Sequence, residues 1–306
     1  MNKYNIITIL GPTASGKTRI AACLADRVDG EVISADSRQV YTGMDLGTGK
    51  DLNDYKVEDR QIPCHLIDIA DPGYEYNVYE YQRDFIKVFN EIHGRQKLPV
   101  LCGGSGLYIE AILKGYRLIN VPVNRTLRKD LEGRSMDEMQ KMLSAFKPLH
   151  NITDTEKRKR LVRAIEIEEY YSENPEVDSD FPELNTLVVG IKYDRESTRR
   201  RITGRLKQRL DEGMLAEAEA LLASGLTYEQ LMYYGLEYKY LALHLNGDLD
   251  YDTMFARLNT AIHQFAKRQM TWYRRMERNG ISIRWLDGYM PVEEKLKKII
   301  EWSAAG

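Results

Sequence analysis

Gly11-Pro12-Thr13-Ala14-Ser15-Gly16-Lys17-Thr18 follows directly on the apolar run Ile6 to Leu10. Two glycines at this spacing, then lysine and a hydroxyl, make the pattern of a loop that wraps a polyphosphate. The glycines let the backbone curl until successive N–H groups point inward, and Lys17 brings a cation to the outer phosphates. The Thr18 hydroxyl can ligate Mg2+, and a helix from Thr18 to Val28 would aim its positive end at the same anion. All eight residues are therefore candidate contacts to a di- or triphosphate, with Lys17 also a candidate catalytic cation and Thr18 the candidate metal ligand. Two further segments could do chemistry. In Ser34-Ala35-Asp36-Ser37-Arg38-Gln39-Val40-Tyr41 a carboxylate follows an apolar run. There Asp36 fits a stabiliser of the Asp-Ser turn as well as a catalytic group. Gly103-Gly104-Ser105-Gly106 is a second glycine loop, in which the Ser105 hydroxyl can donate to an anion.

The elements that would position these groups are read from periodicity. Short apolar runs at Asn5 to Leu10, Glu31 to Ala35, His65 to Ile69 and Pro99 to Cys102 predict strands. Helical spacing covers Thr18 to Val28, Tyr79 to His93 and Leu107 to Leu113. Such alternation predicts a parallel α/β sheet flanked by helices, of the P-loop NTPase type, with ligands gathered at the C-terminal strand edge. From residue 117 to 182 the strand signals stop and the chain becomes helical and charged, with helices over 125–132, 136–146 and 153–171. Thr153 and Glu156 form a capping box for the last of these. Thr186 to Lys192 then returns to a strand pattern. We therefore expect one core of residues 1–116 and 183–306, interrupted by a helical insertion domain of residues 117–182.

Composition narrows the function. The 306 residues are 43% hydrophobic, ample for a packed core, and carry a net charge of −2. A polyanion site must therefore be a local patch rather than a general coating. Cys23, Cys64 and Cys102 are far apart and lack metal-ligand spacing, which predicts reduced thiols in a cytoplasmic protein. No apolar run approaches the ~18 residues that would cross a membrane, so no membrane partner is expected.

Local basic patches do exist. Lys157, Arg158, Lys159, Arg160 and Arg163 lie together on the insertion, and Arg195, Arg199, Arg200, Arg201, Arg205, Lys207 and Arg209 follow the returning strand. On a helix around Gln264 to Arg278, Lys267, Arg274 and Arg278 fall in one stripe, with Arg268 and Arg275 about 90° around. Ile262, Phe265, Trp272 and Met276 are expected on its core-facing side. A row of cations on an anchored helix suits a phosphate backbone, although charge runs are commonly solvated faces.

GPTASGKT, SADSRQVYTGMDLGTGK (Ser34 to Lys50), HLIDIADP (His65 to Pro72), GGSGLYIEAILKG (Gly103 to Gly115), KRLVRAIEI (Lys159 to Ile167) and QFAKRQMTWYRR (Gln264 to Arg275) together resemble the bacterial tRNA dimethylallyltransferases, also called tRNA isopentenyltransferases. The motifs occur in order from near residue 5 to near residue 286. Ser105 stands where the family commonly has threonine, keeping the hydroxyl. Tyr234-Gly235-Leu236-Glu237-Tyr238-Lys239 departs from the usual Ile-Gly-Tyr-Lys-Glu, so no role is carried onto that segment.

The resemblance implies transfer of a five-carbon allyl group from dimethylallyl diphosphate to N6 of adenosine 37, beside the anticodon of tRNAs that read codons starting with U. It implies Asp36 as the base that takes the N6 proton, with Lys17, Ser105 and Arg201 as further catalytic residues and Mg2+ as cofactor. The tRNA contacts it implies are Asp36, Ser37, Arg38, Gln39, Ser105 and Arg128, and the run Lys159, Arg160, Leu161, Val162 and Arg163. From the helix stripe, Lys267, Arg268, Arg274 and Arg278 join them. Partners are thus the tRNA anticodon stem-loop and dimethylallyl diphosphate, and the protein is expected to be a cytoplasmic monomer.

Three other readings use the same motifs. A small-molecule or nucleotide kinase shares the phosphate loop, but no long apolar run ends in paired acids for Mg2+, Asp68 being a short substitute. A GTPase lacks its Asn-Lys-x-Asp signature here. An RNA-binding module that merely grips backbone has no need of a Lys-Thr pair placed for Mg2+.

Overall fold

In a computed structural model, which describes residues 4–146, 157–174 and 181–304, the chain forms two compact units. One comprises residues 1–116 with 181–306, the other residues 117–180. In the first, β1 (Ile6–Leu10), α1 (Lys17–Arg27) and β2 (Gly30–Ala35) are followed by a small antiparallel hairpin of β3 (Lys56–Val57) and β4 (Arg60–Gln61). Then come β5 (Cys64–His65), α2 (Val78–Gly94), β6 (Leu98–Gly103) and α3 (Gly106–Leu113). The second unit supplies α4 (Arg125–Glu132), α5 (Met136–Phe146) and α6 (Arg158–Glu173). The first resumes with β7 (Thr186–Lys192), α7 (Arg195–Asp211), α8 (Met214–Ala223), α9 (Tyr228–Tyr233), α10 (Leu236–Leu245), α11 (Tyr251–Arg278), β8 (Arg284–Asp287) and α12 (Val292–Ala304).

Every residue of β1 and β2 is buried. Strands buried on both faces belong in the middle of a helix-covered parallel sheet, and the six main strands are parallel in the order β5-β2-β6-β1-β7-β8. Ile20, Leu24, Leu296 and Ile299 of α1 and α12 pack on one face. Phe85, Phe89, Ile109 and Ile112 of α2 and α3, with the apolar sides of α7 to α11, cover the other. Truncating a side chain such as Phe85, 0% exposed, costs about 3–5 kcal/mol in a core of this kind.

Register explains how the site forms. Gly103 at the end of β6 pairs with both Leu10 of β1 and Ala35 of β2, so Gly11, Asp36 and Gly104 all leave the sheet at one level. A Cβ on Gly103 would come within 2.1 Å of the Ala35 carbonyl oxygen, which excludes any larger residue there.

The strand expected over His65 to Ile69 is only the two residues Cys64–His65. Leu66 and Asp68 take positive φ angles of 61° and 54°, which no strand accommodates. The turn brings the Asp68 carboxylate onto the Lys50 ammonium, whose buried Nζ also donates to Asp45 Oδ1 at 2.9 Å and to the Tyr41 carbonyl. Holding that lysine cation outranks the local strand pattern.

Within the second unit Leu127, Leu131, Met139, Leu143, Leu161 and Ile165 form a helical core. Glu166, 1% exposed, accepts from Arg128 Nε at 3.0 Å and Nη2 at 2.9 Å, from the Asn124 N–H at 2.6 Å and from Arg163. These bonds hold its carboxyl below the ordinary range against the opposing effect of burial. The Thr153–Glu156 capping box lies outside the described residues. No described helix is long and apolar enough to cross a membrane.

Candidate active site

The loop after β1 curls as its sequence requires. Gly16, at φ 77°, and Ala14, at φ 61°, take left-handed conformations. A Cβ on Gly11 would lie 2.7 Å from both the Ile191 carbonyl oxygen and Ser15 Oγ. Ser15 is 3% exposed and its hydroxyl has no hydrogen-bond partner, an orphan that an anion in the loop would satisfy. Lys17 and Thr18 open α1 and, with Thr13 to Gly16, line a cleft of about 1470 Å³. Burial pushes the Lys17 ammonium below the ordinary lysine value, the Asp36 carboxylate being one of the charges that oppose it. Arg201, on α7, donates from Nε to the Ala14 carbonyl at 2.8 Å and lies 4.5 Å from the centre of the Tyr193 ring. It braces the phosphate loop and lines the same cleft.

Asp36, Ser37, Arg38 and Gln39 line the same cleft. Asp36 Oδ1 accepts the Arg38 N–H at 3.0 Å, so the carboxylate stabilises its turn while facing the cleft. Ser105 Oγ accepts the Ser37 N–H at 2.9 Å, tying the acceptor loop to the second glycine loop. The Arg38 guanidinium sits 5.2 Å from the centre of the exposed Tyr233 ring. Gln39 Nε2 donates to the Gly49 carbonyl at 2.9 Å.

Further supports surround these residues, two of them from the basic patch after the returning strand. Arg205 and Arg209 turn toward the cleft and share Asp51, with Arg209 Nη2 at 2.8 Å. Glu217 Oε2 accepts the N–H groups of Asp45 at 2.9 Å and Leu46 at 2.8 Å, while Oε1 accepts that of Gly47 at 2.9 Å and the Tyr238 hydroxyl at 2.6 Å. Through this last bond the Tyr234 to Lys239 segment acquires a role, because Tyr238 seals the loop that carries Asp51. Glu237 also lines the cleft, and burial pushes its carboxyl up against the pull of Arg209 and Arg205.

The long helix α11 begins thirteen residues before the expected stretch, capped by Asp250, whose Oδ1 accepts the Thr253 N–H at 2.7 Å. Ile262 and Met276 are buried as expected, but Phe265 is 38% exposed and half-buried Trp272 joins it on the cleft wall. The reason is that α11 covers the sheet with one face and borders the cleft with the next. Arg268 faces the cleft, whereas Lys267, Arg274 and Arg278 are exposed on α11 and line no part of it. Arg275 is taken by buried Glu110 and stacks 4.0 Å over Trp272. On the second unit Lys159 and Arg160 are exposed. Leu161 is 0% exposed, so its side chain anchors that run and cannot itself touch RNA. Arg128 and Arg163 share the Glu166 carboxylate.

No group of three or more metal-ligating side chains occurs among the described residues. Thr18 and Asp36 nevertheless line the cleft, and a hydroxyl completed by diphosphate oxygens and water suits Mg2+. Cys23, Cys64 and Cys102 are free thiols, and burial pushes Cys102 up to about 12.

Comparison with known proteins places this cleft in context. The IPP transferase model matches residues 39–276, and an isopentenyl transferase model matches residues 4–62. The chain belongs to the IPP transferase family. Among IPP transferase relatives, tRNA dimethylallyltransferase 2 of Bacteroides fragilis is 60% identical over 296 residues, 97% of each chain. The same-named protein of Phocaeicola vulgatus is 57% identical over 300 residues, 98% of each. The crystal structure of the tRNA isopentenylpyrophosphate transferase of Bacillus halodurans superposes with a TM-score of 0.72 at 30% identity, covering 98% of this chain and 95% of that one. A kinase reading is not favoured.

Proposed function

We propose that this chain transfers the dimethylallyl group of dimethylallyl diphosphate to N6 of adenosine 37 beside a tRNA anticodon, releasing diphosphate. The observation that carries the reading is the convergence of the phosphate loop and the Asp36–Ser105 pair of loops on one cleft.

The mechanism follows from what each residue offers. N6 is a poor nucleophile because its lone pair is delocalised into the ring, so a carboxylate must take its proton as the C–N bond forms. Asp36 does so, its turn bond to Arg38 fixing its direction. As the C–O bond breaks, charge builds on the diphosphate. The loop N–H groups, the α1 N-terminus, Lys17 and Arg201 stabilise it, Arg201 also bonding the loop at the Ala14 carbonyl. Mg2+ at Thr18, when bound, would neutralise further diphosphate charge. The target base must be drawn out of its loop into the cleft, which at about 1470 Å³ has room for a nucleotide beside a five-carbon diphosphate.

Ser37, Arg38, Gln39, Ser105 and Arg268 border that base, and Lys267, Arg274 and Arg278 meet phosphates. On the second unit Lys159 and Arg160 supply backbone contacts, with Arg128, Val162 and Arg163 beside them. The protein acts in the cytoplasm as a monomer.

Unmodified tRNA is incubated with Mg2+ and either labelled dimethylallyl diphosphate or γ-labelled ATP. Prenyl label on adenosine 37 is expected. Transfer of the ATP label to any acceptor, with no prenyl transfer, would overturn the reading.

A further inference from the structure

The two glycine loops come from different strands, and two buried side chains of α11 join them, Gln269 and Tyr273. Gln269 of α11, 6% exposed, accepts the Thr13 N–H at its Oε1, 2.8 Å away, and donates from Nε2 to the Gly104 carbonyl at 2.9 Å. A backbone N–H can only donate and a carbonyl can only accept, so the amide has one orientation. One turn on, the Tyr273 hydroxyl, 0% exposed, donates to the Gly11 carbonyl at 3.1 Å and lies 3.4 Å from that of Gly104. A Cβ on Gly104 would sit 2.6 Å from Gln269 Nε2 and 3.5 Å from Lys17 Nζ. Gly104 is followed by Ser105, which holds Ser37 beside Asp36. An unbroken path of bonds therefore runs from the diphosphate loop, through the Gln269 amide, to the carboxylate loop.

We propose that Gln269 is a positioning residue for the transfer reaction: it sets the distance between the leaving diphosphate and the group that receives the proton, with Tyr273 as its second tie. The inference rests on the functional reading above. A leaving group and an acceptor held on separate loops react well only if both stay in register, and a displacement of about 1 Å can cost on the order of 10²-fold in rate. Neither loop needs the other in order to bind its own substrate, so the register is felt in the transfer step and not in affinity.

The test compares wild type with Gln269→Met, which keeps length and burial but neither accepts nor donates here, and Tyr273→Phe, which removes one hydroxyl. Single-turnover transfer from labelled dimethylallyl diphosphate to an anticodon stem-loop is measured at saturating concentrations, with KM for both substrates, inorganic diphosphate affinity and thermal midpoint alongside. Gln269→Met should slow transfer at least tenfold, with both KM values and diphosphate affinity within about threefold of wild type. Tyr273→Phe should lose less, and the double variant should lose less than the product of the two, because both ties serve one junction. A transfer rate within twofold of wild type in Gln269→Met overturns the proposal. So does a loss that follows a lowered thermal midpoint or a raised KM alone, since that is what a merely structural glutamine gives. If Gln269→Met does not fold, Tyr273→Phe decides by the same criteria. A wild-type protein that transfers no label at all overturns the functional reading and this proposal with it, an outcome distinct from the others.

Discussion

Glu217→Ala removes one carboxylate and frees four donors. Oε2 serves the Asp45 and Leu46 N–H groups and Oε1 serves the Gly47 N–H and the Tyr238 hydroxyl. A hydrogen bond to a charged group contributes about 1.5–3 kcal/mol, so a plain sum would be ~6 kcal/mol or more. The site is only half-buried and water can replace part of what is lost, which leaves about 3 kcal/mol as the expected loss. At ~2 °C per kcal/mol for a chain of this size, the thermal midpoint should fall by ~6 °C. Glu217→Gln keeps one acceptor oxygen, so it should retain either the Asp45 and Leu46 pair or the Gly47 and Tyr238 pair and lose about half as much. Hydrogen exchange at Asp45, Leu46 and Gly47 reads the loop directly, and their amides should lose protection in Glu217→Ala. Transfer should also fall, because the loop carries Asp51 to Arg205 and Arg209. Protected amides together with a midpoint within ~1 °C of wild type would refute the argument.

Lys17→Ala should weaken inorganic diphosphate binding and slow transfer while tRNA affinity stays near wild type; equal loss of both affinities, measured by titration, would contradict separate subsites. Replacing Lys267, Arg274 or Arg278 singly by alanine should lower the salt slope of tRNA binding by about one each, with KM for dimethylallyl diphosphate unmoved. An unchanged slope would make the stripe an ordinary solvated face. Asp194, the N-cap of α7, is held at about 2 by the Tyr289 hydroxyl and the Ser197 N–H. A folded-state pKa below the unfolded one contributes stability that is full above about pH 4 and disappears as pH falls through about 2. Acid titration of stability should therefore be shallower in Asp194→Ala over that window, and an unaltered profile would remove Asp194 from the account.

The sheet was legible because its central strands are short, apolar and punctuated by glycine. Asn5 to Leu10 and Pro99 to Cys102 have no competing pattern, and the observed β1 and β6 agree within two residues. His65 to Ile69 reads as a strand just as well, but the carboxylate of Asp68 is needed by Lys50, and nothing local announces that ion pair. The eight residues of the phosphate loop could be read because their chemistry is local. Gln269 and Glu217 could not be found that way, since the loops they hold lie 165 to 256 and 170 to 172 residues distant along the chain. A faint signal existed for Gln269, a polar side chain set among Ile262, Ala266, Tyr273 and Met276 on one helix face. Periodicity places Phe265 and Trp272 on an apolar face without saying whether that face meets the sheet or a cleft.

The central claim is that Asp36 takes the N6 proton, and single-turnover transfer by Asp36→Asn at saturating tRNA and dimethylallyl diphosphate tests it most directly. Asparagine keeps the shape and can still accept the Arg38 N–H that Asp36 Oδ1 accepts at 3.0 Å, so the turn survives while the base is lost. Transfer should fall by on the order of 10²-fold or more, with binding of both substrates little changed. A single-turnover rate close to that of wild type would contradict the account and leave Asp36 as the residue that makes the turn.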